Sequence, residues 1–414
     1  MYEQLIDSLT RELAQTARFG PADVHVVRSP YRVCPLGAHV DHQLGEVTGM
    51  ALDRALFLAF VPADDDTVHV ESHNFPGAIE FSLGEVSPEP RGDWGDYLRG
   101  AVYALRQHYP IEHGLRGIVH GHENVGGLSS SAAVGVAYLL ALEKANAIDA
   151  STEKNIELDR IIENDYIGLN NGLLDQSTIL LSRQGRLMYL DCRNGDTELY
   201  PCGTDASLRV AILYSGLQQQ LSDTDYNRRV EECQQAARLL LEAAELPTGE
   251  EPKLREVDRE VYKTHRDALP SKPRRRADHF FSEQRRVREG VQLWQAGELQ
   301  AFGRLITESG RSSVENYECG NRYLRTAYRV LVETPDMLGA RFSGAGFRGC
   351  SIGLMADDPP EGLAEDILER YLEEHPDMEG EAEVTFCRPA DGAGFVISPP
   401  NPDPYPDPDL PSRI

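Results

Sequence analysis

At 414 residues the chain is long enough for two domains with separate cores, and its 41% apolar content is that of a globular protein rather than a disordered one. Its 41 basic and 67 acidic residues leave a formal charge of −26, which argues against nucleic acid or an anionic membrane as the main partner; the five lysines among many arginines would suit a high-salt habitat. Seven dispersed cysteines without a CxxC pair read as reduced thiols of a cytoplasmic protein, not as a disulfide framework.

The N-terminus, MYEQLIDSLTRELAQ, puts Leu5, Ile6, Leu9 and Leu13 on one face and predicts a surface helix rather than a signal peptide. Gly20-Pro21 ends it, and VHVVRSPYRV opens with a β-branched strand. Strands are expected at 55–62, 67–74 and 78–83, then a helix from Tyr97 to Gln107 and a strand at 115–121. A glycine–serine loop leads into the helix AAVGVAYLLALEKAN. Its apolar run from Ala132 to Leu142 is far short of the roughly 20 residues a membrane span needs. Ser151 or Thr152 can cap the next helix, on which Lys154, Glu157 and Asp159 are expected to keep one face wet. Strands at 186–192 and 208–215 follow, then helices over 225–245 and 282–318, with 246–258 as a loop. Strands return at 340–344 and 350–356, before a helix at 361–374 and strands at 384–389 and 394–398. The pattern is α+β with a boundary expected near 195–207, giving units 1–205 and 206–398. The Pro/Asp-rich tail, 399–414, is expected to be extended and mobile.

The segment that carries chemistry is GGLSSSAAVG, from Gly126 to Gly135. Gly126 and Gly127 let the backbone approach an anion, and Leu128 leads to the hydroxyl donors Ser129, Ser130 and Ser131. The helix behind them offers free N–H groups and a positive dipole end. With a strand before it and an apolar helix after it, the loop reads as a cradle for nucleotide phosphates. The plain alternative is a flexible turn whose serine caps a helix. It lacks the GxxxxGK[ST] of a Walker A loop. A second cluster, SGAGFRG (343–349), contains GxGxxG, but a strand follows it where a dinucleotide site needs a helix.

Three segments in order, SPYRVCPLGAHVDHQLGEV, GGLSSSAA and GARFSGAGFRGCSIGL, resemble the GHMP kinases and, within them, the galactokinase branch. GLLDQSTILLSRQGRLMYLDCR, DYNRRVEECQQAA and CRPADGAG are similar to the same pattern, so the likeness spans nearly the whole chain. It implies a two-domain α+β fold, an N-terminal ribosomal-S5-like domain and a C-terminal ferredoxin-like α/β sandwich, with ATP, Mg²⁺ and sugar meeting between them. Asp175, in GLLDQ, falls on the family's proposed base, which takes the proton of the anomeric hydroxyl as that oxygen attacks the γ-phosphate. Arg32 falls on the arginine proposed to keep that aspartate ionised and to stabilise the developing charge. Glu163, twelve residues before Asp175, falls on the magnesium-associated glutamate, sharing the ion with a loop serine such as Ser131. Taken singly, Asp175 could cap a loop, Arg32 could form a surface ion pair and Glu163 could lie on a solvated helix face.

His39, Asp41, Gly172 and Tyr226 fall on positions that in galactokinases contact the sugar. A zinc reading of His39, Asp41 and His42 lacks a further ligand pair. Directly before the histidine, galactokinases carry a glutamate that binds the 6-hydroxyl; here that position is Ala38. A glutamate there would face a C6 carboxylate at ~4 Å, costing roughly 4 kcal/mol at an effective dielectric near ~20. Its loss also removes a hydrogen bond that galactose needs. The run PYRVCPLGAHVDHQ, together with GLSSSAAVGVAYLLALE and SGAGFRG, resembles the galacturonokinases, and with the substitution implies a sugar acid, D-galacturonate, phosphorylated at C1. Galactose as substrate, or a non-catalytic role sensing sugar and ATP, are the alternatives. Arg348 stands where galactokinases carry glycine. It can supply charge near the C6 carboxylate, or lie on the surface or near the ATP phosphates. Glu123 and Val125 depart from the family's usual PxGxGLSSS. Oligomeric state is not legible.

Overall fold

The computed structural model describes residues 2–17, 20–122, 126–217, 225–347 and 349–399; the expected tail beyond 399, Arg348, Glu123 and Val125 lie outside them. β1 (His25–Val33), β2 (Glu46–Pro62), β3 (Thr67–Ser72), β4 (Ala78–Ser82) and β5 (Leu115–His120) form a sheet in the order β1-β2-β5-β3-β4. Only the β3–β5 pairing is parallel. β2 is 17 residues long, where the sequence predicts a strand only over its second half. The first half, EVTGMALDR, lacks a clean alternation and pairs with β6 (Arg186–Asp191). β6 turns back into β7 (Asp196–Pro201) through Asn194-Gly195, whose positive φ of 79° at Gly195 suits a tight hairpin. β7 falls inside the expected boundary region.

α1 (Glu3–Ala17) covers one face of this sheet with Leu9 and Leu13. The opposite face carries α2 (Asp96–Arg106), α3 (Ser130–Ala145), α4 (Thr152–Arg160) and α5 (Leu174–Leu181). α3 is apolar on nearly every side, which only burial satisfies; it packs on β1–β2 beside α5, and α2 and α4 pack against it. Ser151 caps α4 by accepting from the Lys154 N–H at 3.2 Å. α4 then widens into a π-helical turn, Ile161–Tyr166, a distortion that recurs at functional sites.

The second sheet is antiparallel throughout: β8 (Arg209–Tyr214), β9 (Gly339–Phe342), β10 (Cys350–Met355) and β11 (Glu383–Cys387), in the order β11-β8-β10-β9. The two-residue period of β8 divides its side chains. Ala211 and Leu213 face one core, while Val210 and Ile212 join the core that also holds α3. The remaining helices are α6 (Tyr226–Ala243), α7 (Arg259–His265), α8 (Ser271–Gln295), α9 (Leu299–Ser312), α10 (Arg322–Glu333) and α11 (Leu363–Leu372). The expected 282–318 helix is the second half of α8, then α9 and a π-helical turn at Ser313–Tyr317. α10, which the sequence reading passes over, is capped by Asn321 and packs on the second sheet.

The last described strands return to the first sheet. β12 (Pro389–Ala390) pairs with β2, and β13 (Gly394–Ile397) pairs with the outer edge of β1. The last strand of the stretch expected as a unit over 206–398 thus satisfies backbone groups along the outer edge of β1.

Candidate active site

Two glycine segments meet backbone to backbone where the sheets adjoin. A Cβ on Gly126 would lie 3.2 Å from Gly349 Cα, and one on Gly127 would lie 2.9 Å from Ser343 O. The Ser343 hydroxyl donates to Gly127 O at 2.7 Å, and the Arg32 N–H of β1 donates to Leu128 O at 3.1 Å. These contacts fix the loop so that Ser129, with φ of 57°, turns the chain into α3 at Ser130. The N-terminus of α3 thus points its free N–H groups at the space beside β1.

Asp175 stands in the first turn of α5 and faces Arg32. Arg32 Nε and Nη2 both approach Asp175 Oδ1 at 2.6 Å, and Nη1 donates to Gly127 O at 3.3 Å. The Ser129 hydroxyl donates to Asp175 Oδ2. Arg32 is buried and Asp175 is one-fifth exposed, so the carboxylate is the accessible member of the pair.

Glu163, on the π-helical turn, is fully buried. Its Oε2 accepts from Asn171 Nδ2 at 3.0 Å and the Ser131 side chain lies beside it, while Oε1 has no partner. Burial, and after it the charge of Asp175, push its carboxyl up to about 7. A buried, unpaired carboxylate oxygen is unfavourable. Such a group beside a serine hydroxyl and a phosphate-type loop fits a hard divalent cation, which takes oxygen donors. Asp159 lies one turn back in the helix, buried, with neither oxygen partnered. Gly135 makes room for it, since a Cβ there would lie 2.2 Å from Asp159 Oδ1. Burial, then Glu163, hold its carboxyl well above the usual range. Asn171 was not singled out in the sequence, and Asp159, expected with Lys154 and Glu157 on the wet face of α4, is instead fully buried because it turns in toward Gly135.

On the other side of Asp175, Gly172 abuts Asp41: a Cβ on Gly172 would lie 2.5 Å from Asp41 Oδ2. Burial, then Asp175, raise Asp41 to about 6. His39 has φ of 55° and stacks on Tyr317, with centroids 4.3 Å apart and planes within 4°. His42 Nε2 lies 3.1 Å from the Tyr317 hydroxyl, so the two histidines turn to one tyrosine rather than to a shared ion. Ala38 is buried, with its backbone held by α8. Arg32, Ala38, His39, Asp41, Gly172, Asp175, Glu163 and the loop 126–131 thus gather in one region. The Tyr226 side chain and Arg348 lie outside the described residues. Apart from these residues, an open cavity of about 580 Å³ is bounded by Glu71–Ala78, where Phe75 stacks on Trp94.

No helix among the described residues is long and apolar enough to cross a membrane. Residues 96–183 match the GHMP kinases N terminal domain. The chain is 42% identical to a galacturonokinase of Arabidopsis thaliana over 95% of its own length and 98% of that protein's. It is 30% identical to a galactokinase of Roseiflexus sp. (strain RS-1), over 90% and 93%. Among solved structures it superposes on Lactococcus lactis galactokinase complexed with galactose with a TM-score of 0.85 and 26% identity, covering 94% of this chain and 99% of that one. A mevalonate kinase shares the fold, with a TM-score of 0.60 at 15% identity over 88% and 99%. The chain belongs to the GHMP kinase family, in its galactokinase branch of ATP-dependent sugar kinases.

Proposed function

We propose that the protein transfers the γ-phosphate of ATP to the anomeric hydroxyl of D-galacturonate. The observation that carries the substrate is Ala38 beside His39 and Asp41: the loop that would hold the sugar lacks the carboxylate that would repel a C6 carboxylate. The 42% identity to a galacturonokinase supports the same reading.

Asp175 accepts the proton of the C1 hydroxyl through Oδ2, which keeps a lone pair beside the bond from Ser129. Arg32, fixed on Oδ1, orients the carboxylate and offsets negative charge as the phosphoryl group moves. The serines and N–H groups at the start of α3 hold the phosphates. Glu163 and Ser131 are the residues that would hold Mg²⁺, which would supply positive charge to neutralise the phosphates. Asp41, His39 and Gly172 orient the ring hydroxyls, with Tyr226 and Arg348 assigned to the same sugar. The reduced cysteines, all seven unpaired, are compatible with a cytoplasmic enzyme.

The test is a panel of galacturonate, glucuronate, galactose and glucose with ATP and Mg²⁺, scored by ADP release as kcat/KM. Galacturonate is expected to lead. A preference for galactose overturns the sugar-acid reading and leaves a galactokinase.

A further inference from the structure

We infer that Glu283, together with His279 and Ser309, is a positioning residue for the sugar loop, setting the backbone of Gly37 and Ala38 so that His39 and Asp41 meet the substrate. This rests on the reading above that the loop binds the sugar. Glu283 lies in the middle of α8 and is fully buried. Its Oε1 accepts from the Gly37 N–H at 2.8 Å, the Ala38 N–H at 3.0 Å and the Ser309 hydroxyl at 2.7 Å. Its Oε2 accepts from Arg286 Nε at 2.8 Å and pairs with Nη2 at 2.6 Å. One turn earlier, His279 Nε2 lies 2.8 Å from Ala38 O, and Nδ1 lies 2.9 Å from the Ser312 hydroxyl. A carbonyl only accepts, so the His279 proton sits on Nε2 and Nδ1 accepts from Ser312. Both backbone polar groups of Ala38 are therefore held by one helix.

The grip imposes a backbone the loop does not favour by itself. Gly37 has φ of 108° and His39 has φ of 55°, a left-handed conformation disfavoured for a residue with a Cβ. The second α8 contact comes from Arg276, which reaches the turn that carries Tyr317. Its Nη2 pairs with Glu318 Oε2 at 2.7 Å, and its Nε donates to Glu232 at 2.8 Å. Tyr317 presents its ring to His39, and Cys319 Sγ lies 3.4 Å from His39 Nε2. His39 thus follows a backbone that Glu283 holds at Gly37 and Ala38, and its ring is held by Tyr317. An ionised carboxylate is the group suited to the centre of this arrangement. Three donors converge on one oxygen and a guanidinium on the other, whereas an amide would set its NH₂ against one of those donors.

The experiment uses the purified full chain with D-galacturonate and MgATP, varying each substrate in turn. Glu283→Gln is expected to raise the galacturonate KM by roughly tenfold or more and to lower kcat, since a loop displaced by ~1 Å can cost on the order of a hundredfold in rate. The ATP KM should stay within about twofold, because the phosphate loop makes none of these bonds. His279→Gln keeps a donor for Ala38 O and should retain sugar binding, while His279→Leu should lose it. If Glu283→Gln does not fold, Ser309→Ala and the His279 pair carry the test, with the same separation of the two KM values. An equal rise in both KM values, or an unchanged galacturonate KM, overturns the inference. A chain that neither binds nor phosphorylates any sugar overturns the function reading and this inference with it. An active chain whose variants leave the sugar constants unmoved overturns the inference alone.

Discussion

Glu163 is a carboxylate buried next to another carboxylate, which disfavours its ionised form unless a cation is present. Its pKa of about 7 lies above its ordinary 4.5, so between those values the folded chain binds more protons than the unfolded one. Stability of the metal-free protein then falls as pH rises through that window, by up to ~3 kcal/mol from this group. Glu163→Gln should remove the loss: in EDTA at about pH 8 the variant should melt higher than the parent, and Mg²⁺ should no longer raise its Tm. A variant that melts lower there removes Glu163 as the metal-holding residue. At Ala38 the Coulomb estimate of ~4 kcal/mol predicts that Ala38→Glu lowers galacturonate kcat/KM by about a thousandfold; an unchanged value places the C6 carboxylate elsewhere. Asp175→Asn should lower kcat by at least about a hundredfold while calorimetry still detects ATP binding, and full activity would remove it as the base. At this scale Arg32, Asp175 and Ala38 could be singled out in the sequence because each stands in a recognisable motif, and Glu163 by its spacing twelve residues before Asp175. Glu283 was not, since a glutamate in a charged helix looks solvated until the backbone it holds is seen.

The two glycine clusters show where the reading of elements stopped. Each was visible in the sequence as a loop made for close approach, but nothing local says that each is the other's neighbour. Gly349 has φ of 90°, and a Cβ there would lie 2.2 Å from Gly126 O. Gly349→Ala meets backbone on that side, so the cheapest relief is to push the phosphate loop away from β10. The ATP KM should rise by roughly tenfold, with a stability loss of about 1–3 kcal/mol. Gly249→Ala, where a Cβ would meet nothing within 4 Å, serves as the control and should change neither. An unchanged ATP KM in Gly349→Ala would detach the second cluster from nucleotide binding. The first half of β2 was missed for a related reason. Gly49 sits where a Cβ would lie 2.2 Å from Thr178 Oγ1, so a residue that weakens the strand pattern is there to let α5 pack on it.

At the scale of the molecule, the return of the last strands to the first sheet ties the end of the chain to its reactive centre. α5 has only 8 residues, so few of its own hydrogen bonds hold its direction. Its last carbonyls are taken by the segment between β12 and β13. The Ala393 N–H donates to Ile179 O at 2.7 Å, and the Gly392 N–H donates to Ser182 O at 2.9 Å. Asp391 Oδ1 accepts from the Gln184 N–H at 2.9 Å, and Asp391 O accepts from Arg28 Nη1 of β1 at 3.0 Å. The CRPADGAG motif, which the sequence reading could only match, is thus the clamp on the helix that carries Asp175 at its other end. Gly392 allows the approach, because a Cβ there would lie 2.6 Å from Leu180 O. Gly392→Ala should therefore tilt α5 and move Asp175 off the bound C1 hydroxyl while the sugar loop and phosphate loop stay in place. The expected result is a kcat lowered by about tenfold or more, with both KM values within about twofold of the parent. A raised KM for either substrate with kcat intact would mean that the closing segment serves binding and not the orientation of the base.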